Sequence, residues 1–420
     1  MVKKIAPITP LSREYPILEV RHSTGDPLFA ASFHPTASLF VTGTASGQVK
    51  LFKYDADKLE DAVIRTGSKK DLVAEDLPAC TSIEVYGKEV DLDDVENEAV
   101  IVGWKTKRHK GSCRDIKFDC EGRYIYSAGR DGVIKKADVE TGKVVGKVKR
   151  DSTEEGAITR ILTVPNKPFL IVGDENGDVK CYDTKEMKPI YELKKAHKDT
   201  VNDISYCVPK SDYRFVSVGS MTLANWDIRK EKILHRSENQ EDEILTCSWV
   251  DQDTQKTLLC GMAGGIVTVW KPEYNEFEDQ ISRIRMDKEE SVESIISSLE
   301  DDDCSYVGLS NGIVTKINSG NGRKIEMRHH SEDGDDNAGI LDMDYEYRLV
   351  SCGVEKLKIW SRHEEGEAVE EDEGEGDEED EGGEDSDSSL PIDQKPGPEP
   401  KFKKQKIDTE TNGIGKFEGL

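Results

Sequence analysis

The sequence predicts an all-β protein, a seven-bladed β-propeller followed by a disordered acidic tail. Three observations predict it. A pattern ending in an aromatic or apolar anchor recurs every 43–47 residues, each copy closes on a tight hairpin, and the composition changes abruptly after residue 362. One small sheet cannot hide both of its faces. Copies stacked around an axis cover them and leave only short, protected edges.

The anchors stand at Phe52, Ala137, Tyr182, Trp226, Trp270, Ile317 and Trp360, separated by 85, 45, 44, 44, 47 and 43 residues. Upstream of each comes an apolar run, a break, a second run ending in Gly or Ser, a turn, and the anchor strand. Turns such as Asp174-Glu-Asn-Gly177 and Arg130-Asp-Gly132 supply Gly or Asn where positive φ is needed. Periods of this length mark four-stranded blades with the anchor on the third strand. The doubled first step holds an insertion at about residues 55–98, on the connection between a third and a fourth strand. A connection this long reads as a disordered linker, with a docking element as the alternative.

The last anchor lies in Lys356-Leu-Lys-Ile-Trp360, where Leu357 and Ile359 alternate with lysines as in a half-buried strand. The outer strand of that blade must come from elsewhere. Tyr15-Pro-Ile-Leu-Glu-Val-Arg-His22 resembles the outer strands at 99–105 and 190–193, so it is expected to complete the seventh blade and close the ring. The domains are therefore an N-terminal extension at 1–14, the ring at 15–362, and a tail at 363–420.

The chain has 420 residues, 35% hydrophobic and 34% charged, with mean hydropathy -0.64. No apolar run approaches the length of a membrane span, and MVKKIAPITP has no apolar signal core. Nine scattered cysteines, never spaced C-x-x-C, read as small buried hydrophobes in a reducing compartment rather than as disulfides or zinc ligands. Residues 364–387 hold 16 acidic and no basic residues, which leaves −11 of the formal −27 for the rest. That block has nothing to bury and self-repels, so it should stay extended. Beyond a Pro-rich spacer, Lys401, Lys403, Lys404 and Lys406 form a candidate nuclear-import cluster.

Catalytic patterns are weak. Gly308-Leu-Ser310-Asn-Gly312 matches a nucleophile elbow in letters, but that motif needs strand–turn–helix and the repeat register puts strand–turn–strand there. The histidines show no metal-binding spacing, and His329-His330 reads as a solvated pair in a hydrophilic loop. No cofactor, metal, small-molecule substrate or membrane is expected.

With these features the chain resembles the WD40 repeat family over about residues 15–362. The resemblance implies a His, Ser/Thr, Asp and Trp network within blades, here fragmentary: His109, Ser127 and Asp131 lack the Trp, while His197, Ser217 and Trp226 have Met221 near the turn. Glu290-Ser-Val-Glu-Ser-Ile-Ile-Ser-Ser, Tyr306 through Asn318 and the closing Lys-Ile-Trp360 are similar to the WD-repeat-containing protein 55 family, whose fungal members are called Jip-type proteins. That resemblance implies a non-enzymatic nucleolar scaffold supporting ribosomal RNA production and large-subunit assembly. Its expected partners are pre-ribosomal or other basic nuclear proteins, with direct RNA binding left open and the ring monomeric. Two alternatives stand. Trp226-Asp227-Ile-Arg229 resembles the signature of cullin-type ubiquitin ligase substrate receptors, which makes Trp226, Asp227 and Arg229 candidate partner-binding residues. The acidic tail suits a histone-binding chromatin protein.

Overall fold

The computed structural model describes residues 9–66, 80–85, 99–150, 156–207, 211–299 and 303–362. Their strands form seven sheets, each one blade, with strands a to d running outward from the axis. Blade 1 comprises Leu28–Phe33, Leu39–Thr44, Gln48–Tyr54 and Val100–Lys107. Blades 2 to 6 begin at Cys113, Ile158, Asp203, Ile244 and Val292. Blade 7 comprises Ile340–Met343, Leu349–Cys352, Lys356–Trp360 and, as its outer strand, Pro16–His22. All seven anchors lie on c strands. The N-terminal strand runs antiparallel to Lys356–Trp360, with Leu18 opposite Ile359 and Val20 opposite Leu357. The a strands touch in sequence around the axis, from Leu28–Phe33 to Ile340–Met343 and back.

The apolar interior divides into seven clusters, and each spans one boundary between blades. Phe215 and Trp226 of blade 4 pack on Val179 and Cys181 of blade 3, and Trp360 of blade 7 packs with Tyr306 and Val314 of blade 6. The four buried tryptophans Trp226, Trp249, Trp270 and Trp360 are at most 1% exposed. Burying one hides roughly 150–250 Å², worth about 4–6 kcal/mol at most. Phe52 stacks on Phe40 at 4.7 Å, and Tyr182 is buried beside Leu170.

Backbone groups at three of these boundaries are satisfied by a repeated aspartate. Asp115, Asp203 and Asp342 each accept the N–H of the following residue and that of an a strand in the next blade: Ile161 at 2.8 Å, Cys247 at 3.0 Å and Phe33 at 3.0 Å. Each begins an Asp-apolar-x-aromatic pattern, Asp115-Ile-Lys-Phe, Asp203-Ile-Ser-Tyr and Asp342-Met-Asp-Tyr.

The expected linker at 55–98 is corrected at 55–66 and 80–85, and its remainder lies outside the described residues. Ala56–Thr66 is a helix, started by Asp55, whose Oδ1 accepts the Lys58 N–H at 3.2 Å. Leu59 and Val63, four apart, form its buried face, and Glu60 meets Arg348 of blade 7 at 3.0 Å. Thr81–Val85 is a strand that pairs in parallel with Pro16–His22 as a fifth strand of blade 7, burying Val85. The insertion therefore leaves blade 1 and is stitched to the far side of the closure. Local apolar spacing, Leu59/Val63 and Ile83/Val85, carried this signal and was outweighed by the acidic surroundings. The N-terminal extension is also attached where it is described. Met327 of the blade 6 outer strand exchanges backbone hydrogen bonds with Pro10 and Ser12, and Arg328 meets Glu14 at 2.7 Å. The acidic block and lysine cluster lie outside the described residues.

Candidate interaction surface

Ser310 sits in the hairpin between Cys304–Leu309 and Ile313–Asn318, as the repeat register requires. Its hydroxyl donates to Glu290 at 2.6 Å and accepts the Ser291 N–H at 3.0 Å. Both bonds tie a loop to a turn. Among the described residues no group of three His, Cys, Asp or Glu could hold a metal, and no helix is long and apolar enough to cross a membrane. Seven cysteines are buried, Cys80 is half-buried and Cys120 is exposed. Burial pushes the Cys181 thiol up to about 12.

The polar networks are more complete than the sequence suggested. In blade 2, His109 lies 2.9 Å from Ser127 and 3.1 Å from Asp131, with Ala137 in place of the aromatic. In blade 4, His197 lies 2.8 Å from Ser217, which also accepts the Trp226 indole N–H at 2.9 Å, while Thr222 stands where Asp131 does. A third network occurs in blade 7, and it corrects the reading of His330. That residue is fully buried, 2.8 Å from Ser351 and 3.4 Å from Asp336, and Ser351 accepts the Trp360 indole N–H at 2.9 Å. The serine-to-tryptophan spacing of nine residues is shared with Ser217 and Trp226, and the His-to-Ser spacing differs by one. That was the available signal. In blade 5, where Cys260 holds the serine's place, the Trp270 indole donates instead to Thr268 at 2.9 Å.

Burial sets the state of these imidazoles. His109 is pushed down to about 4 and His197 to about 3, and His330 is lowered too, against the pull of Asp336. They are neutral hydrogen-bonding struts. A Cβ on Gly129 would come within 2.3 Å of the His109 ring, so the close of strand b must be glycine.

Of the trio Trp226, Asp227 and Arg229, the first two are buried and cannot meet a partner directly. Asp227 accepts two bonds from the Arg229 guanidinium, at 3.0 and 2.7 Å, and the guanidinium lies 4.2 Å from the Tyr213 ring centre. Arg229 keeps 45% of its side chain exposed and is the only one of the three offered to solvent. The arginines near the cleft between blades 2 and 3, about 280 Å³, are not all free: Arg150 is bound to Asp174 at 2.6 Å.

Comparison with known proteins agrees with this architecture. The model of the WD domain, G-beta repeat, matches residues 104–136. The chain is 38% identical to the WD repeat-containing protein JIP5 of Saccharomyces cerevisiae, covering 86% of this chain and 81% of that protein. It is 40% identical to the protein of that name from Meyerozyma guilliermondii, over 85% and 74% of the two chains. With the Vanderwaltozyma polyspora protein the identity is 38%, over 87% and 69%.

Proposed function

The chain belongs to the WD repeat-containing protein JIP5 family, and from that premise we propose that it is a non-enzymatic nucleolar scaffold for ribosome biogenesis, serving ribosomal RNA production and large-subunit assembly. The observation that carries the scaffold reading is the use made of the polar groups. The buried histidines, serines and aspartates are committed to holding blades together, and the ring presents its loops and outer strands to solvent. A rigid ring of this kind binds several macromolecules at once at little cost in ordering. The acidic block at 364–387 attracts basic ribosomal proteins over about a Debye length, ~8 Å at physiological salt, and the lysines at 401–406 suit nuclear import.

Depletion is expected to leave unprocessed pre-ribosomal RNA, and a fluorescent fusion at native level is expected to concentrate in nucleoli. A diffuse cytoplasmic signal together with normal pre-ribosomal RNA would overturn the proposal. The ubiquitin-ligase reading rests on the exposed Arg229. It requires co-purification of the ligase adaptor that disappears in Arg229→Ala, and a native-level purification without adaptor removes it.

A further inference from the structure

A lysine stands two positions before the anchor in blades 1, 2, 3 and 7, where blades 4, 5 and 6 have Ala224, Thr268 and Thr315, and what faces that lysine on the outer strand differs between the four. In blade 7 Lys358 faces Glu19, 3.4 Å away, and in blade 3 Lys180 faces Glu192, 3.2 Å away. In blades 1 and 2 the same lysine faces a second lysine: Lys50 is paired with Lys105, and Lys135 with Lys147. Like charges directly opposite each other destabilise an antiparallel pair. Two neighbouring blades thus keep a repulsion that two others have neutralised.

The repulsion belongs to a wider field. Two residues further along the same strands come Lys107 and Lys149, and all four outer-strand lysines are exposed. Neither Val100–Lys107 nor Val144–Lys149 contains an acidic residue. Residues 99–150 hold fourteen Lys and Arg against six Asp and Glu, a local +8 in a chain of net −27. The crowding is felt: Lys50 is pushed down to about 8, first by burial and then by Lys105. Lys135 is also lowered, by burial first, with Arg108, Lys147 and Lys110 adding to it. Arg108 follows directly on the outer strand of blade 1 and is only 3% exposed. It donates to the Gly142 carbonyl at 2.9 Å and lies 5.0 Å from the Trp104 ring centre, while its Nε and Nη1 have no acceptor among the described residues.

We propose that the outer edges of blades 1 and 2 form a docking surface for the phosphate backbone of RNA, held by Lys105, Lys107, Lys147 and Lys149. This names a partner within the ribosome-biogenesis reading and rests on it for the choice of RNA. The surface offers repeated point charges, which suits a polymer charged at every unit and read without regard to sequence. Lysines on an outer strand also discourage a peptide from adding as a further strand, which disfavours an acidic protein segment in that mode.

The test uses the purified full-length chain, a fluorescein-labelled 20-nucleotide oligo(U) RNA and anisotropy titrations across a salt series. In the double variant Lys105→Glu/Lys147→Glu, both blades regain the Lys–Glu pairing seen in blades 3 and 7, so its melting temperature should hold or rise. Its RNA affinity should fall about tenfold or more near 0.1 M salt, and each phosphate that is no longer neutralised should take about 0.7 off the slope of log K against log salt. Lys105→Gln/Lys147→Gln, which introduces no new charge, should show a smaller loss in the same direction and decides the matter if the first variant misfolds. Unchanged affinity in both variants would overturn the proposal. So would binding that disappears only when Lys401, Lys403, Lys404 and Lys406 become Ala, or a poly-glutamate peptide that binds more tightly than the RNA, which would assign the surface to an acidic protein. Normal pre-ribosomal RNA after depletion would remove the biogenesis reading whatever these titrations give, whereas unchanged affinity would remove only this surface.

Discussion

Single side chains close the boundaries between blades. Asp342 is half-buried and accepts the Phe33 N–H across the junction of blades 7 and 1, so Asp342→Ala leaves a donor unsatisfied there. Urea unfolding should show a loss of about 1–3 kcal/mol, against near zero for Glu140→Ala at an exposed turn position. His197 gives a pH signature with a definite sign. Its folded-state value, about 3, lies below the ordinary 6.5, so below pH 6.5 the unfolded chain takes up a proton that the folded chain refuses. Its contribution is complete above pH 6.5 and drains away as the pH falls towards 3. Thermal melts from pH 7 to pH 4 should therefore fall more steeply for the wild type than for His197→Gln, by up to about 1.4 kcal/mol per pH unit. At this scale the sequence was only half legible. His109 and His197 could be identified because their serines lie in recognisable repeats. His330 was hidden by its charged neighbours, and only its longer-range spacing to Ser351 and Trp360 reports it, since its burial comes from the next blade.

At the level of strands and helices, hydrophobic alternation decided most outcomes. The outer strand Pro16–His22 was readable from its likeness to other outer strands, because every blade asks the same thing of that position. The helix at 56–66 and the strand at 81–85 were not, since among the described side chains the helix buries only Ala56, Leu59 and Val63 and the strand only Val85, and both carry an otherwise polar sequence. Arg328 shows how such peripheral pieces are held. It is 1% exposed, bound to Glu14 and Glu326 at 2.7 and 3.0 Å, and its guanidinium lies 5.7 Å from the Trp360 ring centre. Arg328→Ala breaks a buried ion network, an expected loss of about 3–5 kcal/mol. It should also speed hydrogen exchange at Ser12 and Met327 more than elsewhere. Equal acceleration throughout the ring would show that the arginine supports global packing rather than this attachment.

For the molecule as a whole, seven clusters across seven boundaries mean that no blade owns its core. Heating should give one cooperative transition with coincident fluorescence and circular-dichroism midpoints, and Trp360→Ala should lower stability by about 3–5 kcal/mol without separating the halves. Two resolved transitions would contradict a closed ring. The global plan was the most legible level of all, because a repeat announces its own stacking, whereas the repulsive lysine pairs become visible only once strand register places them opposite each other. Closure also sets a clock during synthesis. Residues 16–22 are made before the rest of the ring but are the antiparallel partner of residues 356–360, the last strand among the described residues. At about 5–20 residues per second the nascent chain carries that apolar segment uncapped for roughly 20–70 s, with only residues 81–85 available to shield one edge. The seventh blade of a nascent chain thus stays open until residues 356–360 have been made, although its outer strand is the first of the ring to be synthesised.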